Sequence, residues 1–81
     1  MSGHVLETVD LVALARDVVA DCTPLAIAGG RDLALTPEVG HLPVRGGRQV
    51  LESALLNLVQ NAVRAEPPGG TVEVIVRAPG Q

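Results

Sequence analysis

A four-residue breaker, Pro67-Pro68-Gly69-Gly70, separates two segments of different periodicity near the C-terminus. Before it, residues 47–65 carry apolar side chains three and four positions apart, the spacing of one face of an α-helix. After it, Thr71–Val76 is rich in β-branched residues, which favour strands. Because a helix cannot continue through two prolines and two glycines, the chain is constrained to end a helix near Ala65 and to begin a strand near Thr71.

The predicted helix has two different faces. Asn57, Gln60, Asn61 and Arg64 fall on one narrow stripe, with Ser53 one turn earlier, because positions three and four apart share a face. Solvent faces usually carry Lys and Glu, whereas amides can ligate hard cations or donate to phosphates. The stripe therefore indicates contact with a polar ligand. The opposite arc is expected to cover a core and contains Leu51, Ala54, Leu55, Leu58, Val59, Ala62 and Val63.

Composition limits the possible classes of protein. At 81 residues the chain holds one domain at most, and it has no Phe, Tyr or Trp, so its core is expected to be Val, Leu, Ile and Ala. A net charge of −3 with six scattered Arg residues argues against a nucleic-acid surface. Cys22 is the only cysteine, which excludes an internal disulfide and predicts a plain core residue. Since no apolar run reaches the roughly 18 residues of a membrane span and no leader is recognised, we expect a cytoplasmic location.

The N-terminal half predicts a short strand and a helix. Residues 1–4 read as a disordered start, followed by a strand from Val5 to Val9 and an N-cap at Asp10. Apolar residues then recur at helical spacing until Gly29-Gly30 supplies a helix stop. Pro24 lies inside this pattern and is expected to kink the helix or split it in two.

Two strands are predicted between the helices. Asp32–Thr36 alternates as a strand and His41–Arg45 as a second brief one, together forming a hairpin whose Pro43 marks an edge. His41 is expected to be a loop-border residue, since no second His or Cys lies at metal spacing. In the last strand, Ile75 breaks strict alternation and suggests burial on both faces.

The order β-α-β-β-α-β fits two α+β architectures. By itself it is the order of the ferredoxin-like fold, which would favour a small interaction module that binds no nucleotide. The content of the second helix favours a different architecture.

That helix and its exit resemble the N box of sensor histidine kinases, in which a helix is followed by a proline-glycine-glycine turn and a strand. The resemblance spans about Glu7 to Arg77. The matching features are Val9-Asp10-Leu11, Pro24-Leu25-Ala26, Leu33-Ala34-Leu35, Gly46-Gly47, Leu51, the run Asn57 to Arg64, and Pro67-Pro68-Gly69-Gly70-Thr71-Val72-Glu73-Val74.

The resemblance implies the front half of a GHKL-type ATP-binding domain, a two-layer α/β sandwich shared with gyrase, Hsp-type chaperones and MutL-like proteins. By the same comparison, Asn61 is the magnesium ligand, Asn57 an amide near the phosphates of ATP, and Arg64 a contact to the phosphate tail. The gyrase and chaperone branch has Glu where Asn57 stands. Because an amide cannot activate water, the resemblance implies phosphoryl transfer to a protein histidine rather than hydrolysis.

The sequence also departs from the family pattern. Gly47 replaces the usual Asp N-cap, and Ala65 and Glu66 replace an aromatic and a hydroxyl residue. In the family, an adenine-reading glycine box, a lid and a second glycine box follow this region, and a helical hairpin with the phosphorylated histidine precedes it. Residues 1–81 are therefore expected to be a partial domain that is inactive, binds ATP weakly or not at all, and self-associates through exposed apolar faces.

The parent protein implied by the resemblance would work with a response regulator and with a dimerisation and histidine-phosphotransfer domain, and it could be membrane-anchored. A serine kinase of the anti-sigma type has a similar helix and remains an alternative.

Overall fold

The computed structural model describes residues 6–80, so the predicted disordered start at residues 1–4 lies outside the described residues. The class is α+β, as predicted. The described chain forms, in order, β1 (Glu7–Asp10), α1 (Leu11–Ala28), β2 (Asp32–Pro37), β3 (Pro43–Gly46), α2 (Arg48–Ala65) and β4 (Thr71–Val76).

The strands form two separate two-stranded sheets. β1 pairs antiparallel with β3, with Glu7 opposite Gly46, and β2 pairs parallel with β4, with Asp32 opposite Thr71. The predicted hairpin between β2 and β3 is therefore wrong. The ferredoxin-like alternative, which requires one four-stranded antiparallel sheet, is also wrong.

The physical reason for this pairing is the apolar face of β2. Leu33 and Leu35 lie opposite Val72 and Val74 in the parallel register, so pairing with β4 joins two apolar strand faces into one surface. β3 offers only Val44 as a large apolar partner. Burial of the larger surface favours the parallel pair.

Both helices pack on this surface, which gives two layers. α1 lies mainly over β2, and α2 contacts α1 and β4. The opposite face of the β2–β4 sheet is exposed at every position from both strands: Asp32, Ala34, Thr36, Thr71, Glu73 and Ile75. Ile75 is 46% exposed, so the prediction that it is buried on both faces is wrong, because no described element covers the outer face of the sheet.

The core contains small and branched aliphatic side chains. Cys22 is among them at 2% exposure, which confirms it as a core residue. Burial raises the pKa of its thiol, and the nearby Asp21 carboxylate raises it further, so Cys22 is an inert packing group. The buried apolar residues are Val9, Val12, Leu14, Ala15, Val18, Cys22, Ala26, Val59, Val63 and Val76.

Asp10 is the N-cap of α1, as predicted, and it has a second partner. Its Oδ1 accepts a hydrogen bond from the Val12 amide at 3.1 Å and another from the Leu42 amide at 2.9 Å. The Leu11 amide in turn donates to the Leu42 carbonyl at 2.8 Å. One carboxylate therefore joins the start of α1 to the segment that enters β3.

The helix α1 continues through Pro24 and is not split. Proline removes one hydrogen bond, to the Ala20 carbonyl, and Ala20 and Pro24 are both exposed, so water can satisfy that carbonyl. The predicted stop is confirmed, since Gly29 is the C-cap and Gly30 has a φ of 73°. Neither helix of the described residues combines the length and the hydropathy that a bilayer span requires.

The end of α2 is the predicted one, but its buried face is narrower than the predicted arc. Only Val59 and Val63 are buried on α2. Leu51 and Leu55 are half-buried, whereas Ala54, Leu58 and Ala62 are exposed, which makes the prediction that the whole arc covers a core wrong. Within the described residues, α2 packs only on α1 and on β4. These two elements cover about a third of the circumference of α2.

We predict that Asp10→Ala lowers Tm by roughly 5 °C at pH 7, because α1 loses its cap and the Leu42 amide loses its acceptor. The pKa of Asp10 lies below its ordinary value, chiefly because the Leu42 amide donates to the carboxylate. The stabilisation is therefore present above the ordinary pKa of about 4 and is lost as the pH falls through the lower folded value. Thermal melts of wild type and Asp10→Ala from pH 7 to pH 2 measure how the difference in Tm depends on pH.

The matched control is Asp17→Ala, which removes an exposed carboxylate paired with Arg48 at 3.4 Å. This change should alter Tm by no more than about 1 °C. A Tm difference between wild type and Asp10→Ala that stayed constant down to pH 2 would show that the carboxylate charge is not responsible.

Candidate functional site

The predicted stripe of α2 faces solvent. Asn57, Asn61 and Arg64 are exposed and Gln60 is half-buried. Packing of α2 through Val59 and Val63 turns the stripe away from the core. Within residues 6–80, none of the three exposed side chains has a hydrogen-bond or ion-pair partner among the side-chain pairs of the structure. Two amides and one guanidinium are therefore available to a ligand along about two helical turns.

The turn after α2 is joined to the turn after α1. The Gly69 amide donates to the Gly30 carbonyl at 2.8 Å, and the Asp32 amide donates to the Gly70 carbonyl at 3.0 Å. Gly69 has a φ of 91°, a left-handed conformation that favours glycine. The predicted breaker is therefore a turn held by main-chain bonds to a second turn, and it fixes where α2 ends.

Arg31 adds a side-chain link that sequence reasoning missed. Its Nε donates to the carbonyl of Glu66, the C-cap of α2. A cation at the C-terminus of a helix satisfies a free carbonyl and interacts favourably with the helix dipole. The only local signal was an arginine directly after the Gly29-Gly30 stop. Arg31 therefore positions the end of the helix that carries the stripe.

An apolar groove of about 370 Å³ lies between α1, α2 and β4, with Leu11 and Ala15 lining it from α1. Leu58 and Ala62 line it from α2, and residues 72–77 line it from β4. Asn61 lies three positions after Leu58 on the helix, which places the stripe beside the groove. The α2 surface thus has a buried side, a polar stripe and an apolar flank.

No cluster of three or more His, Cys, Asp or Glu side chains in the described part of the chain could hold a metal ion. His41 lies in the exposed segment before β3, which confirms the prediction that it borders a loop. A metal at the stripe would depend on amide oxygens and on oxygens of a ligand.

Comparison with known proteins gives one consistent family. The chain is 46% identical over 76 residues to the sensor protein SphS of Synechococcus elongatus, a match that covers 93% of this chain and 18% of that protein. It superposes on the cytoplasmic segment of the histidine kinase QseC with a TM-score of 0.86 and 29% identity, covering 90% of this chain and 48% of that one. The chain matches a segment of a sensor histidine kinase catalytic domain.

A third relative shares the fold. The histidine kinase ThkA, solved in complex with the response regulator protein TrrA, has a TM-score of 0.78 at 24% identity, covering 89% of this chain and 22% of that one. No family model matches the chain. The chain thus spans less than half the length of each of these three relatives.

We predict that Arg31→Ala destabilises the chain by about 1.5 kcal/mol, because the guanidinium donates to the carbonyl of Glu66 at the C-terminus of α2. Arg64→Ala is the matched control: it removes an exposed arginine from the same end of the helix and should change the free energy of unfolding by less than about 0.5 kcal/mol. Urea unfolding measures both variants. Equal losses would show that Arg31 does not hold the helix end.

Proposed function

We propose that residues 1–81 are the front half of the ATP-binding catalytic domain of a two-component sensor histidine kinase. The observation that carries this proposal is the exposed stripe of α2, directly before the Pro67–Gly70 turn, in a fold similar to that of QseC. The longer protein would transfer the γ-phosphoryl group of ATP to a protein histidine.

Asn61 is the proposed magnesium ligand in this domain, with Asn57 and Arg64 at the phosphates. The available groups fit this role, because magnesium prefers oxygen ligands, keeps several waters and takes only one or two protein groups when it bridges phosphates. An amide oxygen supplies such a ligand without adding charge, and Arg64 is an exposed cation that can pair with a phosphate. When bound, the metal would neutralise charge on the phosphates.

Asn57 supports transfer to a protein group over hydrolysis of ATP. It lies one turn before Asn61 on the exposed stripe. By the resemblance, the gyrase and chaperone branch has a Glu at this position, whose carboxylate can activate water. An amide has no proton-accepting function near neutral pH, so it can only orient its neighbours. The residues of the stripe therefore bind and position, and the acceptor comes from another domain.

The proposed partners follow from the relatives. ThkA was solved with a response regulator, and we infer a response regulator and a dimerisation and histidine-phosphotransfer domain as partners of the longer protein. A cytoplasmic location is proposed by similarity to the cytoplasmic segment of QseC.

The 81-residue chain is also proposed to self-associate, since Ile27, Val50 and Leu58 are 68%, 60% and 66% exposed.

We predict that the 81-residue chain binds Mg·ATP weakly or not at all. The chain covers 48% of the QseC segment, so in this proposal the surface that would bind adenine lies in the other half of the domain. Isothermal titration of the chain with ATP and magnesium should show no saturation in the micromolar range. A low-micromolar dissociation constant would contradict the partial-domain proposal.

In the full-length kinase, Asn61→Ala should lower autophosphorylation by about a hundredfold or more, because a magnesium ion held at this site would lose its protein oxygen ligand. Gln49→Ala is the matched control, since it removes another exposed amide from α2 three turns away. Incorporation of labelled phosphate measures both. Normal autophosphorylation by Asn61→Ala would refute the assignment of Asn61 as the magnesium ligand. The proposal that the longer protein is a kinase would still stand.

A further inference from the structure

The two helices end side by side, but their C-termini differ in main-chain hydrogen bonding. At the end of α1, the amides of residues 29–31 all donate to carbonyls of residues 25–27, at 2.9 to 3.2 Å. After the last residue of α2, only the Glu66 amide donates back into the helix, to the Ala62 carbonyl at 3.1 Å. The next two residues are Pro67-Pro68, which have no amide hydrogen to donate. The last turn of α2 therefore lacks the main-chain cap that α1 has.

The side chain of Arg31 supplies a cap in its place. Its Nε donates to the Glu66 carbonyl, and its Nη1 donates to the Gly29 carbonyl at 3.3 Å. Gly29 is the C-cap of α1 and Glu66 the C-cap of α2, so one guanidinium binds a terminal carbonyl of each helix. Helix C-termini carry partial negative charge, and a cation placed between two of them stabilises both.

The base of the Arg31 side chain is fixed in the core. The Arg31 amide donates at 2.9 Å to the carbonyl of Ala26, a residue that is completely buried. All six arginines belong to the described part of the chain, and Arg31 is half-buried whereas the other five are exposed. Hydrogen bonds that are partly shielded from water are stronger. Gly29 leaves the space for the guanidinium, because a Cβ there would clash with Nη1 of Arg31.

The part of α2 that depends on this cap contains Arg64. Val63 is 1% exposed and anchors the helix in the core. Beyond Val63 no residue of the helix is buried, so a helix end that loses its cap can fray back to Arg64 but not to Asn61. Arg64 lies only two residues before Glu66, which is the residue that Arg31 holds.

We propose that Arg31 is a positioning residue of the nucleotide site, which keeps Arg64 in the helix and in line with Asn61, where its guanidinium can meet the phosphates. This inference rests on the function proposed above and adds a residue outside the stripe. Arg31 acts through the Glu66 carbonyl and does not itself contact the nucleotide.

The test measures KM and kcat of autophosphorylation in the full-length kinase. Arg31→Ala should raise the KM for ATP about tenfold and leave kcat unchanged, because a phosphate contact made equally in the ground state and the transition state is lost. Arg16→Ala is the matched control: it removes an exposed arginine from α1 and should change neither constant.

A double variant separates positioning from general destabilisation. Arg64→Ala alone should raise KM by a similar factor, and adding Arg31→Ala should raise it no further, because no guanidinium is left to position. If Arg31 acted only through overall stability, the two effects on KM would multiply. Hydrogen exchange measured by mass spectrometry should also be faster in Arg31→Ala for peptides covering residues 62–66, and unchanged for peptides covering residues 55–59.

Gly29→Ala tests the same contact while the arginine is retained. The φ of Gly29 is −92°, which alanine adopts freely, whereas the added methyl group displaces the Arg31 guanidinium. The KM for ATP should therefore rise in this variant too. It carries the test if Arg31→Ala does not fold.

The outcomes distinguish this role from the proposed function. A normal KM in folded Arg31→Ala, or effects that multiply in the double variant, overturns the positioning role while the nucleotide site stands. Where Arg31→Ala does not fold, a normal KM in Gly29→Ala overturns it. A full-length protein that binds no Mg·ATP overturns the proposed function, and the role of Arg31 at the phosphates with it.

Discussion

Parallel pairing of β2 with β4 is the interaction on which the rest of the structure depends. Each strand directly follows a helix, β2 after α1 and β4 after α2, so the parallel pair forces the ends of both helices to one end of the sheet. The turns meet there through the bond from the Gly69 amide to the Gly30 carbonyl, and Arg31 reaches the end of α2. The position of the polar stripe follows, because α2 is fixed at its C-terminus and packed through Val59 and Val63.

Features that depend on neighbouring residues could be predicted from the sequence. The cap at Asp10, the stop at Gly29-Gly30 and the turn at Pro67–Gly70 are each determined by backbone preferences over a few residues. The element order and the end of α2 were predicted for the same reason. Exposure of Asn57, Asn61 and Arg64 agrees with their predicted placement on a polar face, while their binding roles remain predictions.

Features that depend on distant partners could not be predicted. The hairpin between β2 and β3 followed from their adjacency in sequence, but β4 offers β2 the larger apolar surface. Arg31 was missed because its acceptor, the Glu66 carbonyl, lies 35 residues away in the sequence. The pattern of side chains does not indicate which distant main-chain carbonyl an arginine will contact. Hydrophobic periodicity likewise reports which residues are suited to burial, and it does not report which neighbours are present to bury them. That is why Leu58 and Ile75 are exposed despite their place in apolar patterns.

These exposed residues form two surfaces of different chemical character on one helix and the adjoining strand. The stripe uses amides and a cation, which suit a polar ligand, whereas Leu58 and the edge of β4 offer apolar area and unused main-chain groups, which suit another strand. The two surfaces share α2 but no residue, so a ligand at Asn61 and a strand at Ile75 need not compete for the same atoms. The Asp32 amide donates to the Gly70 carbonyl and the Glu38 amide to the Val76 carbonyl, so the even-numbered residues of β4 bond to β2. Any segment that pairs with the other edge of β4 must therefore satisfy the main-chain groups of Glu73, Ile75 and Arg77.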